Sequence, residues 1–225
     1  MSTATPPRTV ATVTSERGEL VLQRRADGAL ELRVNGVFVM DTAQTSTERA
    51  LAHAALDLER PHRVLVGGLG LGFTTAELLR DPRVRSVLVA EIEPAVLVWM
   101  TDGTVPGGVQ VVSDDRVRVQ LADVRDVVAD QAPGSLDAIL LDVDNGPDFL
   151  VLDGNAGLYR EAFVRTCLVR LRPGGVVVIW SSTESPDLES ALAHAAGSYT
   201  KRCHQVDLAG RLETYTLYSV TRSDL

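Results

Sequence analysis

No stretch of the 225 residues is apolar for the roughly 20 positions a membrane span needs, although hydrophobic residues make up 45% of the chain. The opening MSTATPPRTVATVT has no basic segment followed by an apolar one. A secretion signal and a membrane association are therefore not expected, and a cytoplasmic enzyme is the default. Only two cysteines occur, Cys167 and Cys203, too distant for a metal or redox pair motif; each reads as a small buried or half-buried residue. Lys201 is the sole lysine, which reflects base composition more than function. The net charge is −8, and the arginines form nothing larger than pairs such as Arg24-Arg25, so the electrostatic footprint of a nucleic-acid binder is missing. The acidic balance mildly suits a cationic or neutral small substrate. The four histidines lack metal-ligand spacing, and GxSxG, HExxH and CxxC are absent. Hydrolase and metalloenzyme readings lose their support, and no metal is expected. Internal repeats and low-complexity segments are also missing.

What the chain does have is a change of pattern near residue 45. Residues Met1–Pro7 read as a loose tail. Four short alternating runs follow, Thr9–Thr14, Glu19–Arg25, Ala29–Asn35 and Val37–Asp41, with turn signals at Arg17-Gly18, Asp27-Gly28 and Asn35-Gly36. They predict an antiparallel β-meander over 1–44. Its exposed strands offer a surface through which a homodimer could form. Thr45–Glu59 then reads as a helix capped by a hydroxyl residue, with Glu48 near the reciprocal capping position.

From Arg63 strand-like and helix-like runs alternate. VLVGG is followed by a helix to Arg80, SVLVAE by a helix from Pro94 to about Met100, and VRVQLAD by a helix near Val124–Ala132. DAILLD leads through a loop into a helix from about Leu158 to Leu171; GVVVIWSS precedes a last helix from about Asp187 to Gly197. Alternation of this kind builds a parallel sheet with helices on both faces. Two consecutive runs, Cys203–Leu208 and Glu213–Arg222, close the chain across Ala209-Gly210-Arg211 and must pair antiparallel. The expected fold is α/β and Rossmann-like, a class I SAM-dependent methyltransferase fold over 45–225. It is a seven-stranded, mostly parallel sheet with a C-terminal antiparallel hairpin.

The first strand of that region runs into Gly67-Gly68-Leu-Gly70-Leu-Gly72. Glycines in such a turn admit a ligand where a side chain would collide. The spacing is GxGxG, not the GxGxxG that seats a pyrophosphate, so an adenosyl sulfonium fits better than a dinucleotide. Glu91 ends the second strand, where a carboxylate can accept from both ribose hydroxyls, with Ile92 beside it. Glu93, two residues on, is expected to face away and be exposed. Asp123 can accept from the adenine amino group while the Val124 N–H donates to a ring nitrogen; an aspartate before a helix is equally an N-cap. Asp142 ends the fourth strand at the carboxyl edge of the sheet, followed by Asp144, Asn145 and Asp148. Transfer from a sulfonium is a displacement in which the enzyme orients the nucleophile and handles its proton. Asp142 suits that task, with Asp144 as its companion, or as an attraction for a cationic acceptor. His53, Asn145 and Trp180 are candidates for the acceptor pocket; Trp180 either walls it or packs in the core.

The β-meander, LRVNGVFVMDTAQTSTERALAHAAL, the glycine loop, AEIEP, LADVRD, LLDVDNGP and LYREAFVRTCLVRLRPGGVVVI together resemble the spermidine synthase (polyamine aminopropyltransferase) family over most of the chain. The resemblance implies donor-site or catalytic roles for Gln44, Glu91, Asp123 and Asp142. It also marks departures. The family's loop usually reads GGGDGG, and its aspartate, beside the amine of decarboxylated S-adenosylmethionine, is here Gly70. Leu51-Ala52-His53 stands where the family has Tyr-His-Glu. The aspartate-rich loop is shortened to Asp142-Val-Asp144-Asn145, and Trp180 stands where glutamine is frequent. The expectation is therefore transfer of a methyl group from S-adenosylmethionine (SAM) to a small amine or hydroxyl. A divergent aminopropyltransferase using decarboxylated SAM is the alternative. A third reading is a catalytically silent protein that binds SAM or methylthioadenosine.

Overall fold

A computed structural model describes residues 6–208 and 211–223. Part of the expected N-terminal tail (Met1–Thr5) and the turn residues Ala209 and Gly210 lie outside them. Strands β1 (Arg8–Ser15), β2 (Gly18–Arg24), β3 (Leu30–Val34) and β4 (Val37–Asp41) pair antiparallel in chain order. Asn35 adopts φ 52, the left-handed conformation that a tight two-residue hairpin requires. Its side chain accepts from the Glu19 N–H and donates to the Arg17 carbonyl, so one asparagine ties two turns of the meander together.

After helix α1 (Ser46–Leu56) come β5 (Arg63–Gly67), α2 (Phe73–Leu79), β6 (Ser86–Glu91), α3 (Pro94–Thr101), α4 (Gly108–Val112), β7 (Val117–Leu121), α5 (Val124–Ala129) and β8 (Leu136–Leu141). A 3-10 helix (Asp153–Tyr159) precedes α6 (Glu161–Arg170), β9 (Leu171–Ser181), α7 (Pro186–Ala196), β10 (Thr200–Leu208) and β11 (Arg211–Thr221). The second sheet has the order β10-β11-β9-β8-β5-β6-β7. Its five strands β5 to β9 are parallel, and β11 runs antiparallel to both β9 and β10. The order reverses between β5 and β8, where an open α/β sheet forms its ligand crevice.

Alternation along the central strands splits the core into two faces. Val64 and Val66, Ala138 and Leu140, and Val176, Val178 and Trp180 point to the side covered by the meander and α1. Leu65, Ile139, Leu141, Val177 and Ile179 point to α5, α6 and α7. Both faces are dry, which is why these strands read as continuous apolar runs.

Three expectations need correcting. The helix drawn from Leu158 to Leu171 is broken at Arg160, whose ψ of 150 ends the 3-10 helix before α6 starts. Thr45 makes no side-chain cap, and Glu48 does not reach back to the helix start. Glu48 shares the inward stripe of α1 with Leu51, Ala52 and Ala55, at spacings of three, four and seven. Cys203 is exposed, in contrast to Cys167.

Candidate active site

The carboxyl ends of β5, β6, β7 and β8 open onto a cleft roofed by the meander. Its interior volume open to the centre of a water-sized sphere is about 140 Å³. Leu20, Leu32, Val34 and Val39 form the roof; Gly68, Gly70, Glu91, Asp123 and Asp142 lie on the floor.

Gly68 makes the close packing of the floor possible. It has φ 88, and a Cβ there would lie 2.3 Å from the Asp142 carbonyl oxygen. Gly70, at φ 49, would place a Cβ 2.6 Å from Met40 Sδ, the same sulfur that accepts from the Leu71 N–H at 3.3 Å. Gly67 and Gly72, expected to touch the cofactor, do not line the cleft. A Cβ on Gly67 would press on Leu141, Val124 and Val143, and one on Gly72 on Met100. Their smallness serves the packing of β5 and α2.

Glu91 is buried and holds the loop in shape. Oε2 accepts from the Leu69 N–H at 2.9 Å and Oε1 from the Glu93 N–H at 2.7 Å. Burial pushes its carboxyl above the usual range, and backbone N–H groups at Glu93, Leu69, Ile92 and Gly70 counter part of that rise. Ile92 and Val124 line the same cleft. Asp123 caps α5 through the Arg125 N–H (2.8 Å) and pairs with the Arg125 guanidinium, which holds its carboxyl below the usual range. It caps the helix, the second of the two readings, and also lines the cleft.

Glu93 is not exposed. Residues two apart on a strand share a face, and here the strand itself stops at Glu91. Glu93 is buried in the cleft wall, where Oε1 accepts from Ser15 Oγ (3.1 Å) and faces Arg17 (3.4 Å). This ties the end of β1 to the Rossmann-like sheet.

The acids of the β8 loop divide sharply. Asp144, 6% exposed, spends its carboxylate on the loop itself: Oδ1 accepts from the N–H groups of Asn145 (2.8 Å) and Val151 (2.6 Å), Oδ2 from Asn155 Nδ2 (2.8 Å). The carboxylate expected to share in catalysis is thus committed to the loop's own donors. Asp142 is the reverse. Its side chain makes no hydrogen bond among the described residues, and burial with the nearby Glu48 carboxylate pushes its pKa up to about 8. Glu48, 8% exposed and also raised by burial, accepts from Thr47 Oγ1 (3.0 Å) as the one side-chain donor it has among the described residues.

A second pocket adjoins the cleft and shares Val39, Met40, Glu48, Asn145 and Trp180 with it. Trp180 meets Tyr215 edge-to-face, with ring centroids 4.8 Å apart. Asn145 stands between the pockets with its amide committed to the Phe38 carbonyl (3.0 Å). Gln44 borders only the second pocket, and its Oε1 accepts from the Ser46 N–H and hydroxyl at the start of α1. His53 belongs to neither. It lies on the outer face of α1 beside Glu77 (3.3 Å), with its side chain 57% exposed. Asp148 is exposed. Sequence reasoning thus missed Glu48, Glu93, Met40 and Tyr215. A glutamate on an otherwise apolar helical stripe was the available signal for Glu48. No group of three or more potential metal ligands occurs among the described residues, and no helix is long and apolar enough to cross a membrane.

A parallel sheet reversed between β5 and β8, a glycine loop at that point and carboxylates on the next strand ends define a class I SAM-dependent methyltransferase-like fold. The Spermine/spermidine synthase domain matches residues 44–215, and the chain belongs to that family. A polyamine aminopropyltransferase of Thioalkalivibrio sulfidiphilus is 31% identical over 160 residues, covering 70% of this chain and 51% of that protein. Putrescine N-methyltransferase 3 of Nicotiana tabacum is 31% identical over 153 residues, 67% of this chain and 36% of that protein. The chain thus spans about half or less of the length of these relatives. A spermidine synthase crystallised with the transition-state analogue AdoDATO superposes with TM-score 0.81 at 17% identity, over 96% of this chain and 74% of that one. The spermidine synthase of Thermotoga maritima gives 0.77, also at 17% identity, over 96% and 73%.

Proposed function

We propose that the protein transfers a methyl group from SAM to a small amine. The observation that carries this reading is Gly70. The position offers no carboxylate to the donor's tail, and Met40 Sδ occupies the space into which a side chain would project. A tail bearing only an ammonium gains from a carboxylate there, whereas a tail bearing both charges can use backbone N–H groups. The cleft fits an adenosyl group on its own features: the Glu91 carboxylate lines it at the end of β6 beside the glycine loop, within reach of ribose hydroxyls, and Asp123 and Val124 edge the far end for adenine. A SAM bound there would supply an electrophilic methyl on a positively charged sulfur.

The chain's own contribution falls to Asp142. An ammonium must shed a proton before its nitrogen can attack. Asp142, which lines the cleft near Glu48 and has no side-chain hydrogen bond among the described residues, accepts it; an arriving cation favours the ionised carboxylate and draws its pKa down from about 8. The nitrogen lone pair then forms the N–C bond, and the S–C bond breaks with its electron pair left on sulfur. Trp180 walls the junction of the two pockets, and the meander roof excludes water.

Aminopropyl transfer from decarboxylated SAM is the second reading, favoured by the 31% identity to a polyamine aminopropyltransferase. Calorimetry with SAM, decarboxylated SAM and methylthioadenosine separates the readings. Tighter binding of SAM than of decarboxylated SAM is expected; the opposite order overturns methyl transfer. Binding of the nucleosides with no turnover of any amine would support a silent binding protein.

A further inference from the structure

The second pocket has three acids, and their partners decide what it can hold. Asp41 is buried and saturated: its carboxylate pairs with Arg25, and Oδ1 accepts from the N–H groups of Ala43 and Gln44, both at 2.8 Å. Glu213 is paired with Arg211 at 3.2 Å. Glu48 alone faces both pockets without a cation, and Asp142 lies behind it. The pocket therefore has one anionic pole, at its junction with the cleft. The rest of the wall carries no charge: Trp180 and Tyr215 in edge-to-face contact, Leu150, Leu208 and, at the rim, Phe149, 59% exposed, with Gln44, Asn145, Ser182 and Thr183 as its neutral polar groups.

A diamine needs an anion for each end, because a desolvated ammonium without a partner is costly. Here the second ammonium would meet the Trp180–Tyr215 wall, neutral groups such as Gln44, Ser182 and Thr183, or acids already paired with arginine, and none of these supplies a free anion. We propose that the acceptor is a monoamine with an apolar body, an alkyl or arylalkyl ammonium, whose charged end lies at Glu48 and Asp142 and whose body lies on the aromatic wall. This rests on the amine-transferase reading above. It narrows the substrate class of the same site and sets it apart from putrescine, the diamine named for one of the relatives.

The test is binding, so that it does not depend on which group is transferred. Hexylamine, phenethylamine and 1,4-diaminobutane are titrated calorimetrically into the full chain, with and without S-adenosylhomocysteine. Both monoamines are expected to bind at least about tenfold more tightly than the diamine, a difference of roughly 1.4 kcal/mol. Equal or tighter binding of the diamine overturns the proposal. Arg211→Ala, at an exposed position, frees Glu213 and should shift the ratio several-fold toward the diamine. An unchanged ratio would refute the role given to the arginine-held acid. If S-adenosylhomocysteine fails to bind while the monoamine preference stands, it is the transferase reading that falls. Preference for the monoamines combined with turnover from decarboxylated SAM would overturn methyl transfer and keep the acceptor class.

Discussion

Two pairs of carboxylates face the same cleft and are treated in opposite ways. On the nucleoside side, Glu91 is held by backbone N–H groups and Asp123 by Arg125. On the proposed acceptor side, the Asp142 side chain has no hydrogen-bond partner among the described residues, and the Glu48 carboxylate accepts from the Thr47 hydroxyl as its one side-chain partner there. A carboxylate whose bonds are made in advance is a fixed template, and its geometry does not change when a ligand arrives. A buried carboxylate without partners destabilises its own ionised form, and a cation relieves that cost. In the proposed function the first half recognises by shape and the second exchanges a proton.

The sharpest way to break this contrast is Asp142→Asn. The kcat with a turned-over amine should fall by about 10²–10⁴, the range for a lost general base. In the wild type, kcat/KM should rise with pH and level off above about 8. Stability runs the other way. Because the folded pKa lies above the unfolded value near 3.8, the folded state binds more protons in between, so stability falls as pH rises from about 4 to about 8. Asp142→Asn should flatten that fall in a series of melting curves. A variant with unchanged turnover and unchanged pH dependence would remove Asp142 from its role.

Glu91→Ala tests the template side. Loss of charge-assisted hydrogen bonds worth about 1.5–3 kcal/mol should weaken nucleoside binding roughly ten- to hundredfold in calorimetry. SAM binding as tight as wild type would void the ribose assignment. Asp144→Asn comes next. It keeps one acceptor for the loop and loses the other, so stability should drop by about 1–3 kcal/mol while kcat for saturating substrate stays near wild type. A collapse of kcat with unchanged melting would return Asp144 to the chemistry.

The two sides also differ in how far they could be read from sequence. The glycine loop, Glu91 and Asp123 were legible because each follows directly from a strand end; β5, β6 and β8 announce themselves as apolar runs, and β7 alternates. The acceptor side depends on contacts that no local pattern contains. Asp142 and Asp144 stand two residues apart in one loop, and only the return of the chain at Val151 and Asn155 decides which of them is consumed by backbone N–H groups. The second pocket joins β4, α1, β9 and β11, drawn from opposite ends of the sequence. Glu93 was misplaced by the expectation that it faces away from Glu91, and its burial follows from Ser15 and Arg17, which arrive from the meander.

The smallest expected effect tests that same acceptor side through helix α1. His53 and Glu48 are five residues apart, about 140° around a helix that turns roughly 100° per residue, so they cannot both face the cleft. The structure turns Glu48 inward with Leu51, Ala52 and Ala55, and places His53 outward beside Arg49 and Glu77. His53→Ala should therefore leave kcat/KM unchanged and alter stability by no more than about 0.5 kcal/mol, as exposed ion pairs do. A tenfold loss of kcat/KM would mean that α1 is rotated. Glu48 would then leave the junction of the pockets, and with it the single anionic pole on which the acceptor assignment stands.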